Sequence, residues 1–211
     1  MTNYYETERL ILREVLESDI ETMFELDSNT LVHRYLGNNP IQKKEDALKA
    51  IHFIRNQYRT YGVGRLATIE KSSGSFIGWS GLKYNAGKKE ALNGIENFFD
   101  IGYRFLPRFW GLGFATESSH KMLRVAFEEL NIDTVFGAAD IDNIGSNKDV
   151  TNIKISKKKL STRDWITKQD LIISSVSFMN VDSYIYRKPH ISLSKLIPNE
   201  FYFSAYKTFN Y

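Results

Sequence analysis

Residues 101–117 read IGYRFLPRFWGLGFATE. The β-branched and aromatic run from Ile101 to Leu106 predicts a strand. Pro107 ends it, because proline has no amide hydrogen to give a ladder. Gly111 and Gly113 then make a tight loop, and a helix starts at once. Such a junction favours an anion. The first-turn amides have no intrahelical acceptor, the helix dipole adds about half a positive charge, and glycines let an anion's oxygens approach the backbone. Arg108 adds a formal positive charge. A diphosphate is the natural ligand. Two familiar diphosphate loops fit poorly. The dinucleotide fingerprint needs glycine where Thr116 stands, and the acidic residue about twenty positions on, Asp133, precedes the next strand instead of ending it. A P-loop needs a lysine after its last glycine, and none follows Gly113.

The rest of the chain sets this junction in a mixed fold. ETERLILREV (6–15) puts Leu10 and Leu12 on one face of a first strand. Ser18 and Glu21 have capping-box spacing and predict a short helix through about Leu26. Ala47, Leu48, Ile51, Ile54 and Tyr58 form the stripe of a helix over 43–60 that stops at Gly62. GRLATIE and SFIGWSGL are two strands joined by a hairpin turn at Lys71-Ser72-Ser73-Gly74, and 83–97 reads as a loop. NFFDIGYRFL (97–106) is the fourth strand. Ala115, Met122, Ala126, Phe127 and Leu130 mark a helix over 115–130, and TVFGAAD (134–140) is the fifth strand. The expected class is α/β (α+β): one mixed sheet with helices on its faces.

The chain has 211 residues with 42% apolar and 25% charged side chains, the composition of a globular domain. No cysteine is present, which excludes a disulfide framework, a thiolate metal site and a cysteine nucleophile. No run approaches the roughly 20 apolar residues of a membrane span. MTNYYETERL lacks the apolar core of a secretory signal, so the expected setting is the cytoplasm. The histidines at 33, 52, 120 and 190 show no metal spacing, and His120 is expected on an exposed helix face. Trp79, Trp110 and Tyr103 are expected as core or wall aromatics.

Arg108-x-x-Gly111-x-Gly113 matches the R/Q-x-x-G-x-G/A signature of the GNAT acetyltransferases. IGY, LP and FWGLGFATE around it, with ETERLILRE and FIGWSGL upstream, resemble the ribosomal-protein alanine acetyltransferase (RimJ/RimL-like) branch over about residues 5–146. The resemblance implies a mostly antiparallel sheet with helices on both faces and an acyl-CoA cleft between the fourth and fifth strands. It implies acetyl-CoA as co-substrate, no metal, and an amine acceptor, either a protein N-terminus or a small molecule. Amides of Gly111, Leu112, Gly113, Phe114, Ala115 and Thr116 would hold the pyrophosphate beside Arg108. The strand end from Tyr103, with Phe105 and Leu106, would pair with the pantetheine arm. Asn143 and Ser146 match the family's N-x-x-S: Asn143 would bind pantetheine or order the loop, and Ser146 would protonate the departing thiolate. Asp100 stands where another branch of the superfamily carries its base. The expected assembly is a monomer or homodimer.

The chain changes character at Ser146. Residues 1–146 hold 17 Lys+Arg against 20 Asp+Glu, and 147–211 hold 11 against 5; all 13 glycines lie in the first part. The family's closing helix with its K-x-G-F-like end has no counterpart. The chain therefore divides into an acetyltransferase domain over 1–146 and an atypical basic tail over 147–211. LIISSVSF (171–178) and EFYFSAY (200–206) are candidate strands within the tail, and Lys157-Lys158-Lys159 reads as a solvated face. Three origins fit the tail: a divergent replacement, an added segment with its own partner, and a reading frame shifted near Ser146, of which the last is favoured. The leading function is N-acetyl transfer by direct attack. The alternative is an acyl-CoA-binding protein impaired by its tail, with a sheet edge left exposed. Nucleic-acid binding by the tail is disfavoured, because its basic and aromatic residues form no repeated pattern.

Overall fold

The computed structural model describes residues 3–92, 94–140, 142, 143, 146, and the backbone of 160–167 and 171–178. Strands β1 (Tyr4–Glu6) and β2 (Leu10–Arg13) form a hairpin, followed by helices α1 (Ile20–Ser28), α2 (Thr30–His33) and α3 (Lys44–Tyr61). Strands β3 (Arg65–Glu70), β4 (Phe76–Asn85) and β5 (Phe98–Phe105) lead through a 3-10 turn (Pro107–Phe109) into α4 (Phe114–Arg124). Then come β6 (Thr134–Asp140), β7 (Leu160–Thr167) and β8 (Leu171–Phe178). They form one sheet in the order β1-β2-β3-β4-β5-β6-β8-β7.

Both sheet faces are covered. On one, Ala67, Trp79 and Leu106 pack with Met23, Leu26, Ile51 and Ile54 of α1 and α3. On the other, Leu12, Leu66, Leu82 and Val135 pack with Met122 and Leu123 of α4. Each fully buried large apolar side chain stabilises the fold by about 1.5–3 kcal/mol, so the sheet is anchored on both sides.

Most expected elements stand where the residue patterns put them. The 43–60 helix closes at Gly62, whose amide donates to the Tyr58 carbonyl at 3.1 Å. The fourth strand, the TVFGAAD strand and the 71–74 turn also match. Several expectations are corrected. The Ser18/Glu21 box does not start α1. Instead Asp19 Oδ2 accepts from the Leu16 amide at 2.8 Å, and both oxygens of that carboxylate hold Arg13, at 2.7 and 2.8 Å. The helix expected to reach Leu130 stops being α-helical at Arg124 and closes as a π turn, with Leu130 N–H donating to the Val125 carbonyl at 2.9 Å. Residues 83–85, expected as loop, belong to β4.

LIISSVSF is β8, as expected, and pairs with β7; the 200–206 segment and the Lys157–Lys159 run lie outside the described residues. β8 pairs with β6 from Thr134 to Asp140, so the edge expected to lie bare is covered. No described helix is long and apolar enough to cross a membrane.

Candidate active site

The cleft is a consequence of strand pairing. Every neighbouring pair in the sheet is antiparallel except β5 and β6, which run parallel and meet only at Phe99↔Val135 and Asp100↔Phe136. Beyond those positions the two strands part, leaving backbone of β5 facing an opening. Leu106 N–H donates to the Ile77 carbonyl on β4 at 3.0 Å. Along an antiparallel pair alternate residues turn their polar groups to opposite sides, so Tyr103 and Phe105 direct theirs toward the β6 side. Leu106, expected to pair with a ligand, therefore has its amide spent on β4. Its side chain is fully buried, and that of Phe105 is nearly so. The Phe105 carbonyl accepts from Trp110 Nε1 at 2.7 Å; this indole is half exposed at the mouth of the cleft.

The loop at that mouth has the geometry its glycines call for. Gly111 and Gly113 have φ of +73° and +80°, where a β-carbon is strained. A β-carbon on Gly111 would meet nothing within 4 Å, so the space above it is open. Gly113 caps α4, and its carbonyl accepts from Glu117 N–H at 3.0 Å. The amides of Phe114, Ala115 and Thr116 fall in the first turn of α4.

A clamp holds this loop. Glu117 accepts from Thr7 Oγ1 at 2.5 Å, from Arg9 N–H at 2.9 Å and from Arg9 Nε at 2.6 Å. The same guanidinium donates to the Leu112 carbonyl at 2.9 Å and overlies the Phe114 ring. Burial raises the Glu117 carboxyl, but the Thr7 and Arg9 hydrogen bonds outweigh it and hold the group below its ordinary value. A depressed carboxyl stabilises the fold above its unfolded value, and that contribution is lost as pH falls through the folded one. Glu117→Gln should therefore cost about 2 kcal/mol at pH 7. The gap in melting temperature from the parent should close as the buffer is taken below pH 4 or so, which circular-dichroism melts would follow. A gap constant across that range would show that the charge is not what holds the loop.

A splayed parallel pair beside a glycine loop at a helix start is the arrangement expected of an acyl-CoA site. The model of the acetyltransferase (GNAT) domain matches residues 9–153. The chain belongs to the GNAT acetyltransferases. The uncharacterized N-acetyltransferase YoaA of Bacillus subtilis is 29% identical over 143 residues, 68% of this chain and 77% of that protein. Among solved structures, an acetyltransferase from Agrobacterium tumefaciens superposes with a TM-score of 0.65 at 18% identity, covering 82% of this chain and 93% of its own. The spermidine N-acetyltransferase of Vibrio cholerae, solved with CoA and spermine, gives a TM-score of 0.59 at 14% identity, covering 81% and 97%. As a GNAT acetyltransferase the chain transfers an acetyl group from acetyl-CoA to an amine.

The structure places the GNAT signature residues in different surroundings. Arg108 reaches away from the loop to an exposed pair with Glu25 of α1. Asp100 is bound through both oxygens by Arg65 Nη2, each at 2.9 Å. Arg65 starts on β3 and crosses β4 to get there. Its guanidinium bonds the Gly81 carbonyl at 2.5 Å and lies over Gly102, where a β-carbon would stand 2.9 Å from Nη2. Asn143 Oδ1 accepts from Ser146 N–H at 3.2 Å, which joins the two expected residues after β6. His120, expected to be exposed, is half-buried, and Nε2 has no partner among the described residues. Among those residues no cluster of three or more His, Cys, Asp or Glu is arranged to hold a metal.

The clamp is what the sequence reading missed. Thr7 and Arg9 lie in ETERL and Glu117 ends FATE, two motifs that flank the glycine-loop signature in the sequence. Only the fold shows that they touch across 108 residues. Two conspicuous polar motifs at opposite ends of one domain were the available signal.

Proposed function

We propose that this GNAT acetyltransferase acetylates a primary amine, on a protein N-terminus or a small molecule, by direct attack on acetyl-CoA. The observation that carries the reading is the parting of β5 from β6 after Asp100, with an open glycine loop at the mouth. The pyrophosphate lies on the amides of Gly111, Leu112, Gly113, Phe114, Ala115 and Thr116. Arg9, held beside Leu112 and Gly113, supplies the guanidinium there in place of Arg108, which is engaged by Glu25. The pantetheine arm runs along β5, where Phe105 N–H faces it. The amine nitrogen bonds to the thioester carbon and gives up a proton to cleft water, the C–S bond breaks, and the thiolate takes a proton from Ser146, ordered by Asn143. The water-borne proton restores the Ser146 hydroxyl. Asp100 acts as a positioning residue, because Arg65 occupies both of its oxygens. The RimJ/RimL-like flanks do not choose between these acceptors, because that branch is used for several.

Two measurements test this. Acetyl-CoA at 100 times its dissociation constant should add about 2.7 kcal/mol and raise the melting temperature by roughly 5–11 °C. Free thiol should then appear on adding an Ala-N-terminal peptide or spermidine. A melting temperature unmoved by acetyl-CoA overturns the whole reading. A shift without thiol release from a broad amine panel leaves an acyl-CoA binder.

A further inference from the structure

A cavity of about 650 Å³ lies on the helical side of β5, bounded by α1, α2, the 39–43 segment and the start of α3. Its rim carries Lys43, Glu45, Asp46 and Lys49, of which Asp46 and Lys49 pair at 2.7 Å. Three buried polar residues line it. Asp27 of α1 and Arg104 of β5 form an ion pair whose side chains are about one-twentieth exposed. His33, the last residue of α2, is 5% exposed, and neither ring nitrogen has a hydrogen-bond partner among the described residues. Arg104 sits between Tyr103 and Phe105, the two residues whose backbone turns toward the cleft, so one wall of the cavity belongs to the strand that lines the cleft.

The chemistry of these groups selects a ligand. Burial, then the Arg104 charge, push the His33 ring below its ordinary value, and only Asp27 opposes them, so the ring is neutral at pH 7. A neutral imidazole offers one donor and one acceptor. With Asp27 and Arg104 cancelling, the lining has no net charge. A ligand group that both donates and accepts satisfies the ring. A second cation finds no unpaired anion among the three buried groups and is costly to desolvate.

We propose that this cavity seats the non-reacting end of the amine acceptor, and that His33 there hydrogen-bonds an uncharged polar group, an amide or a hydroxyl, in preference to a second ammonium. The proposal rests on the acetyl-transfer reading above. Three primary amines of similar length separate the possibilities: β-alaninamide, 1,3-diaminopropane and n-butylamine. With acetyl-CoA, kcat/KM for β-alaninamide should exceed that for n-butylamine by about 10-fold and that for 1,3-diaminopropane by about 100-fold. His33→Leu should collapse the first ratio through KM, with kcat held within about twofold. It should also melt no lower than the parent, because it removes a buried polar ring that lacks partners. A purely structural histidine would give the opposite: lower stability and unchanged ratios.

Ring signals of histidine-labelled protein, followed by NMR with CoA present and assigned through His33→Leu, give a readout independent of turnover. β-Alaninamide should move the His33 signals saturably. Unmoved His33 signals, or a preference for 1,3-diaminopropane, overturn the proposal even if acetyl-CoA binds. Loss of the acetyl-CoA melting shift is a failure of the transferase reading instead, and is seen separately.

Discussion

Asp27→Ala should lower the melting temperature by roughly 6–20 °C, the largest stability loss expected from a single side chain here. Asp27 and Arg104 are buried against each other, and the guanidinium also overlies Trp79. Removing one partner of a buried pair leaves the other charge in low dielectric without compensation, which costs about 3–5 kcal/mol. For a chain of this length each kcal/mol is worth about 2–4 °C. The double variant Asp27→Leu/Arg104→Met removes both charges at once, and its melting temperature should return close to that of the parent. If the double variant melts as low as Asp27→Ala, packing volume and not the stranded charge sets the loss.

Gly111→Val should abolish the melting shift produced by acetyl-CoA while leaving a cooperatively folded chain. A β-carbon at Gly111 would meet no protein atom within 4 Å, so the fold itself has room for it. The cost to the free protein is the left-handed conformation, φ +73°, worth about 1–2 kcal/mol. The branched side chain would project into the space the pyrophosphate needs. The rise of roughly 5–11 °C expected for the parent should then disappear at the same acetyl-CoA concentration. An undiminished shift would place the diphosphate somewhere other than this loop.

The two variants probe different parts of the molecule, and they were unequally visible in the amino-acid order. Gly111 was legible because loop geometry is local: two glycines between a strand and a helix specify an anion-accepting turn wherever the domain places it. Asp27 and Arg104 were not, because nothing about an aspartate in one helix and an arginine 77 positions later announces contact. The same holds for Asp100. Its place before IGY suggested a proton acceptor, but Arg65 reaches it only across Gly81 and Gly102, a path the fold creates. In the sequence His33 is one of four scattered histidines; the packing of α1, α2 and β5 sets it in the wall of a cavity.

Local errors had tertiary causes too. Ser18 and Glu21 had the right spacing for a cap, but Asp19 is held by Arg13 and the Leu16 amide, and this moves the start of the helix. The π turn at Val125–Glu129 follows a stripe that looked regular, and its residues Val125, Ala126 and Phe127 are all buried.

The sequence by itself determined the strands β3 to β6, the helix α3, the glycine loop and the GNAT family, because periodicity, turn residues and a short motif are properties of neighbouring residues. Only the tertiary structure decided which charges neutralise each other, which backbone groups remain turned to the cleft, and which histidine lines a cavity. Those depend on distances between residues far apart in the chain, and packing alone sets such distances.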